Sequence, residues 1–115
     1  MNHIATNLAD AYATRVARLR DRFLDMLSER LHRADDALVG TSIEEHLNEL
    51  RFDAHKTAGA AGSFGFDSLT EVSGTASSEI DSYLNGQVST ERLRTALEEY
   101  RTELEDVILA ELIRA

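Results

Sequence analysis

No proline occurs in the 115 residues, and all six glycines lie between positions 40 and 86. Proline breaks a helix interior, and glycine costs about 1 kcal/mol there relative to alanine. Both ends of the chain are therefore free of helix breakers, and the punctuation is gathered in the middle. Within residues 4–39, Leu8, Tyr12, Val16, Leu19, Phe23, Leu27, Leu31, Ala34 and Leu38 recur at intervals of three and four. Those intervals mark the seam of an amphipathic helix. Arg15, Arg18, Asp21, Arg22, Asp25, Glu29, Arg33 and Asp36 fill the other faces. The segment reads either as one long helix or as a short first helix and a main one, with Gly40 as its stop.

The punctuated middle divides the rest. Thr41 or Ser42 caps the next helix, and Ser42 to Glu45 has capping-box spacing. This helix is expected over about 43–63, with Ile43, Leu47, Leu50, Ala54, Ala58 and Ala61 inward and Gly65 ending it. Asp67 caps a third helix with Leu69, Val72, Ala76, Ile80 and Leu84 inward. Its centre, Val72–Ser78, is poor in helix formers, so it is expected to be the least stable of the set. Asn85-Gly86 closes it. Ser89 or Thr90 caps the last helix, whose stripe is Leu93, Leu97, Tyr100, Leu104, Val107 or Ile108, and Leu112. The expected fold is all-α, an antiparallel up-down four-helix bundle, with a short extra N-terminal helix if the first segment divides. Residues 1–115 are expected to form a single domain.

Twelve basic against 21 acidic residues give a net charge of -9, which argues against nucleic acid as a partner. There is no cysteine, so no disulfide and no thiolate metal site. No apolar run approaches the ~20 residues of a membrane span, and the start lacks a signal-peptide pattern. A cytoplasmic, free-standing protein that contacts no membrane is expected. His32 and His46 have no zinc-type second ligand one turn away except nearby carboxylates, and His46 with Glu45 or Glu49 is a weak pattern, so no metal site is expected. The acids Glu98, Glu99, Glu103, Glu105 and Asp106 read as a solvated face. The long first seam reads as bundle core in preference to a dimer zipper; a monomer is expected, with the dimer left open.

Residues 51–65, RFDAHKTAGAAGSFG, carry the chemistry. Positions three and four apart share a helix face. His55 therefore shares one with Phe52, Gly59 and Gly62, and lies one residue, about 100°, off the inward stripe. An imidazole there faces outward over helix almost bare of side chains. Helical glycines at 59 and 62 make sense if something must approach the backbone closely. Phe64 and Phe66 read as core.

His55, Ala58, Gly59, Ala60, Ala61, Phe64 and Gly65 resemble the signature of histidine phosphotransfer (HPt) domains, H-x-x-[K/A]-G-[A/S]-[A/S]-x-x-[aromatic or Leu]-G. The flanking helical pattern is similar to that family over about residues 8–110. One departure is Ala58, where many members carry lysine. The resemblance implies a four-helix bundle whose histidine accepts a phosphoryl group from a receiver-domain aspartate and passes it reversibly to another receiver. It implies response-regulator receivers and a hybrid histidine kinase as partners. It implies no cofactor in this chain, since the receiver supplies the aspartate and the magnesium. The protein would then be a carrier, not a turnover enzyme. His55 would be the phospho-acceptor, and Gly59 and Gly62 would clear space for the receiver. Lys56 is either a neutraliser of phosphate charge or a solvated lysine. Arg51 either assists or is an ordinary surface arginine, and Phe52 is a docking contact or partly buried packing.

Two other classes stay open. One is a receiver- or kinase-binding inhibitory module of the same fold that relays no phosphate. The other is a structural bundle that self-associates through its first or last helix. The chain offers no nucleophile–base pair of a hydrolase.

Overall fold

The seam of the first segment runs without a break. In the computed structural model, which describes residues 3–40 and 43–114, it forms one helix, α1, His3–Val39. Gly40 follows, and its N–H reaches the Asp36 carbonyl at 3.2 Å. Thr41 and Ser42, the expected caps of the next helix, lie outside the described residues. A 3₁₀ turn, Ile43–His46, leads into α2, Leu47–Ala61. A second 3₁₀ turn, Gly62–Phe64, precedes Gly65. Gly65 has φ 80°, a left-handed conformation that suits glycine. There the chain turns back, and the Phe66 N–H donates to the Ala61 carbonyl at 3.0 Å.

The third and fourth helices are α3, Asp67–Leu84, and α4, Thr90–Arg114. Asp67 is the first residue of α3 and not its cap, which is Phe66. Ser89 caps α4, because its Oγ accepts the Arg92 N–H at 3.2 Å. The serine-rich centre of α3 is helical throughout. Ser73 and Ala76 are fully buried there, small enough to let neighbouring helices come close.

The helices form an antiparallel four-helix bundle, and cross-links set its register. Arg20 meets Glu111 at 2.6 Å and Arg101 meets Asp35 at 2.6 Å, pairing α1 with α4. Arg51 meets Asp81 at 3.1 Å, pairing α2 with α3. Phe23, Leu27, Leu47, Leu50, Leu69, Ile80, Leu93, Leu97, Tyr100 and Leu104 fill the core. Phe64 and Phe66, half-buried, stack on Phe23 with ring centroids 4.9 and 5.9 Å away.

Three parts of the expected core lie elsewhere. Leu8, Tyr12, Val16 and Leu19 are 65, 70, 39 and 48% exposed. The Arg20–Glu111 pair sits close to the end of α4, so the turns of α1 before it have no helix of the described residues beside them. They project as an arm, and the long dimension of the molecule reaches 64 Å against 24 and 20 Å across. Leu84 and Leu112 are likewise exposed, at the ends of their helices. In α2, Thr57 is fully buried while Ala58 is only half-buried, so the inward face is rotated toward α1. No helix among the described residues is long and apolar enough to cross a membrane.

Replacing Leu27, fully buried, with alanine lowers the unfolding free energy by about 3 kcal/mol in denaturant titration. Leu84→Ala, at a helix end, lowers it by less than about 1 kcal/mol. The Arg20 guanidinium holds the Glu111 carboxyl below its usual range, mainly through their hydrogen bond. The stability this provides is present above the ordinary carboxylate range and is lost as pH falls through the depressed value. Between about pH 6 and pH 3, wild-type protein therefore loses more stability than Glu111→Gln, measured by thermal melts.

Candidate functional site

The site begins with what holds α2 from behind. Asp53 and Thr57, one turn apart, face α1 and are 5 and 0% exposed. Arg33 donates from Nε and Nη2 to the two Asp53 carboxylate oxygens at 2.6 and 2.9 Å. Arg30, 4% exposed, donates from Nη1 to Thr57 Oγ1 at 2.7 Å. The Thr57 hydroxyl in turn donates to the Asp53 carbonyl at 2.7 Å. The bond to Asp53 raises the Arg33 pKa against the opposing effect of burial. Tyr100 from α4 is fully buried, and burial pushes its phenol above its usual range.

This network fixes the rotation of α2. His55 is two residues, roughly 200°, round the helix from Asp53 and thus faces away from α1. It is exposed, in a shallow groove between α2 and α3 with Asn48, Arg51, Phe52, Ser77 and Asp81. Arg51 is turned to Asp81 across the groove, Nη1 to Oδ1 at 3.1 Å. The Lys56 ammonium sits 4.6 Å from the centre of the Phe52 ring, a cation–π contact. Phe52 itself is 60% exposed. Lys56 and Arg51, the candidate phosphate-neutralising cations, thus each have a partner of their own.

The two glycines differ. A Cβ placed on Gly59 would meet nothing within 4 Å, so no neighbour in the chain requires glycine there. A Cβ on Gly62 would touch Thr70 Oγ1 of α3 at 3.6 Å, an ordinary contact. Gly62 belongs to the junction of α2 with α3, a turn or more beyond the imidazole. The Arg51–Asp81 and Gly62–Thr70 pairings define one antiparallel register. It places Ser77 across from His55 and Gly74 across from Ala58, so the ground beside the imidazole is low on both helices.

Sequence reasoning placed His55, Phe52, Arg51, Lys56 and Gly59 together, and they share this face. It missed Arg30, Arg33, Asp53 and Thr57, because charged and hydroxylic residues read as solvent-facing. The available signal was the one-turn spacing of Asp53 and Thr57 beside the inward stripe of Leu50, Ala54 and Ala61. Among the described residues, no three His, Asp or Glu side chains gather in a way that could hold a metal ion. The nearest interaction of another histidine is His32 with Asp36 at 3.6 Å, on exposed α1. An exposed imidazole in an open groove is accessible to an electrophile brought by another molecule, and its neutral nitrogen can attack it.

A family model described as the Hpt domain matches residues 18–112. No curated protein and no solved structure matches the chain.

Asp53→Asn removes the charge that Arg33 pairs with. Because Arg33 remains one-third exposed, the loss is below that of a fully buried pair, about 2 kcal/mol in chemical denaturation.

Proposed function

Since this chain belongs to the Hpt domain family, whose role is histidine phosphotransfer in phosphorelays, we propose that His55 is its phospho-acceptor. The observation that carries this reading is the exposed imidazole of His55 one turn from Gly59, a helical glycine that no internal neighbour requires. Glycine in mid-helix costs about 1 kcal/mol. Free approach of a second protein to the backbone accounts for keeping it.

The incoming group is an aspartyl phosphate on a receiver domain. A neutral imidazole nitrogen attacks phosphorus in line with the departing carboxylate oxygen. The P–N bond forms as the P–O bond to the aspartate breaks, and the carboxylate leaves with the bonding pair. The second ring nitrogen carries the imidazole proton and can release it to solvent. The reverse steps return the phosphoryl group to a receiver aspartate. Such transfer rests on positioning and charge stabilisation more than on acid–base groups in this chain. Magnesium is assigned to the receiver.

Phe52 and the low ground of Gly59, Gly74 and Ser77 form the docking surface. Arg51 reaches the phosphoryl group only by giving up Asp81, so that ion pair competes with the phosphorylated state. Lys56 remains on Phe52 and contributes positive potential at short range. Gly62 widens the approach at the far end of the motif. The contact is small and transient, as a carrier that must release its partner requires.

The competing reading is a receiver- or kinase-binding module that relays nothing. It draws on Ala58, which leaves no cation one turn after His55. Incubation with a phosphorylated, magnesium-loaded receiver decides between them. Acid-labile, alkali-stable label is expected on the wild type and none on His55→Gln. Binding without label on the wild type would install the inhibitory module. Gly59→Ala is expected to raise stability by about 0.5–1 kcal/mol, since the added methyl meets no neighbour. The same variant is expected to slow transfer at least ~10-fold, because a 1 Å misplacement of reacting groups is costly.

A further inference from the structure

The arm at the start of α1 is amphipathic and has no partner among the described residues. Leu8, Tyr12, Val16 and Leu19 lie along one side and are all exposed. Arg15, Arg18 and Arg22, at spacings of three and four, run beside them and form no ion pair among the described residues. Residues 3–22 hold four arginines against two aspartates, in a chain of net charge -9. The arm is therefore a cationic-edged apolar stripe on an acidic protein.

The opposite chemistry occurs at the end of α4. Leu109, Leu112 and Ile113 are 49, 67 and 84% exposed there. Glu105 lies one turn before Leu109, and Asp106 lies three before Leu109 and seven before Ile113, so both border this patch. From Glu98 to Glu111, α4 holds six acids and a single arginine. Asp106 is exposed and forms no ion pair among the described residues, whereas Glu105 is held by Arg101 at 2.8 Å. The arm cannot lie on the α4 of its own chain. The Arg20–Glu111 pair ties α1 alongside that helix near its end, and the arm runs on past it.

We propose that two copies of this chain exchange arms. The stripe Leu8–Tyr12–Val16–Leu19 of each seats on Leu109, Leu112 and Ile113 of the other, with Arg15 and Arg18 against the unpaired Asp106. The two-fold arrangement makes every contact twice. Such doubling lets a modest patch pass the ~1,000 Å² that marks a specific interface. His55 lies in the groove between α2 and α3, whereas the patch is at the end of α4 beside Arg20 of α1. Both His55 faces thus remain open in the dimer, and two phosphorylation sites are held on one particle.

The test uses the whole chain. Sedimentation equilibrium from about 1 to 100 µM is expected to show a monomer–dimer equilibrium that weakens with added salt. Leu8→Glu/Tyr12→Glu is expected to weaken association at least ~100-fold, with the bundle's melting transition retained because neither side chain is in the core. The native chain has no cysteine, so position can be read directly. Tyr12→Cys and Leu109→Cys proteins, mixed and oxidised, are expected to cross-link to each other. A monomer at every concentration would overturn the proposal. So would a dimer that the double glutamate variant leaves intact. Oxidation joining Tyr12→Cys only to itself would mean arms pairing with arms and would equally overturn it. A wild-type monomer that co-sediments with anionic vesicles would assign the arm to a lipid surface instead.

Discussion

The placement of the reactive face depends on a buried polar contact behind it. Arg30 and Arg33 of α1 converge on Thr57 and Asp53 of α2. Taking charges out of water costs several kcal/mol per ion, and attraction offsets it only when the geometry is good and remaining polar atoms are bonded. Here the carboxylate takes two parallel N–H bonds, and the hydroxyl both accepts from Arg30 and donates to the Asp53 carbonyl. An apolar pair at these positions would bury α2 equally well but would permit rotation about its axis. Directional bonds permit one rotation. That rotation sends residue 55 outward, so a contact with no part in the chemistry decides where the imidazole points.

The outward face is notable for how little rises from it. Gly59 on α2, Gly74 on α3 and Ser77 across the groove keep both helices low beside His55. Helix stability would favour alanine or longer side chains at each position. The bundle tolerates these residues because α2 and α3 are held by their inward faces and by Gly65, whose left-handed turn brings Phe64 and Phe66 onto Phe23. The weak helix formers in α3 and the glycine in α2 are thus one feature seen from two sides.

Unequal helix lengths set the other property of the molecule. α1 spans 37 residues, whereas α4 spans 25 and α2 only 15. At 1.5 Å per residue these differences amount to tens of ångströms. The apolar seam of α1 continues beyond the point where the bundle has helices to meet it. The end of α4 likewise carries exposed apolar side chains. A chain that buried all of this by itself would need another helix at that end.

Much of the fold was legible before any coordinate. Three-and-four spacing, the missing prolines and the cluster of glycines determined four helices, their order and most of their limits, because local periodicity and backbone strain are properties of the chain alone. The candidate site was legible as well, since His55, Phe52 and Gly59 are neighbours on a single helix. What crosses between helices was not. Arg33 and Asp53 read as surface charges until α1 and α2 are set side by side. Leu8 and Tyr12 read as core until α4 is seen to end beside Arg20. Periodicity says which residues share a face, and only the tertiary arrangement decides whether another helix is there to cover it.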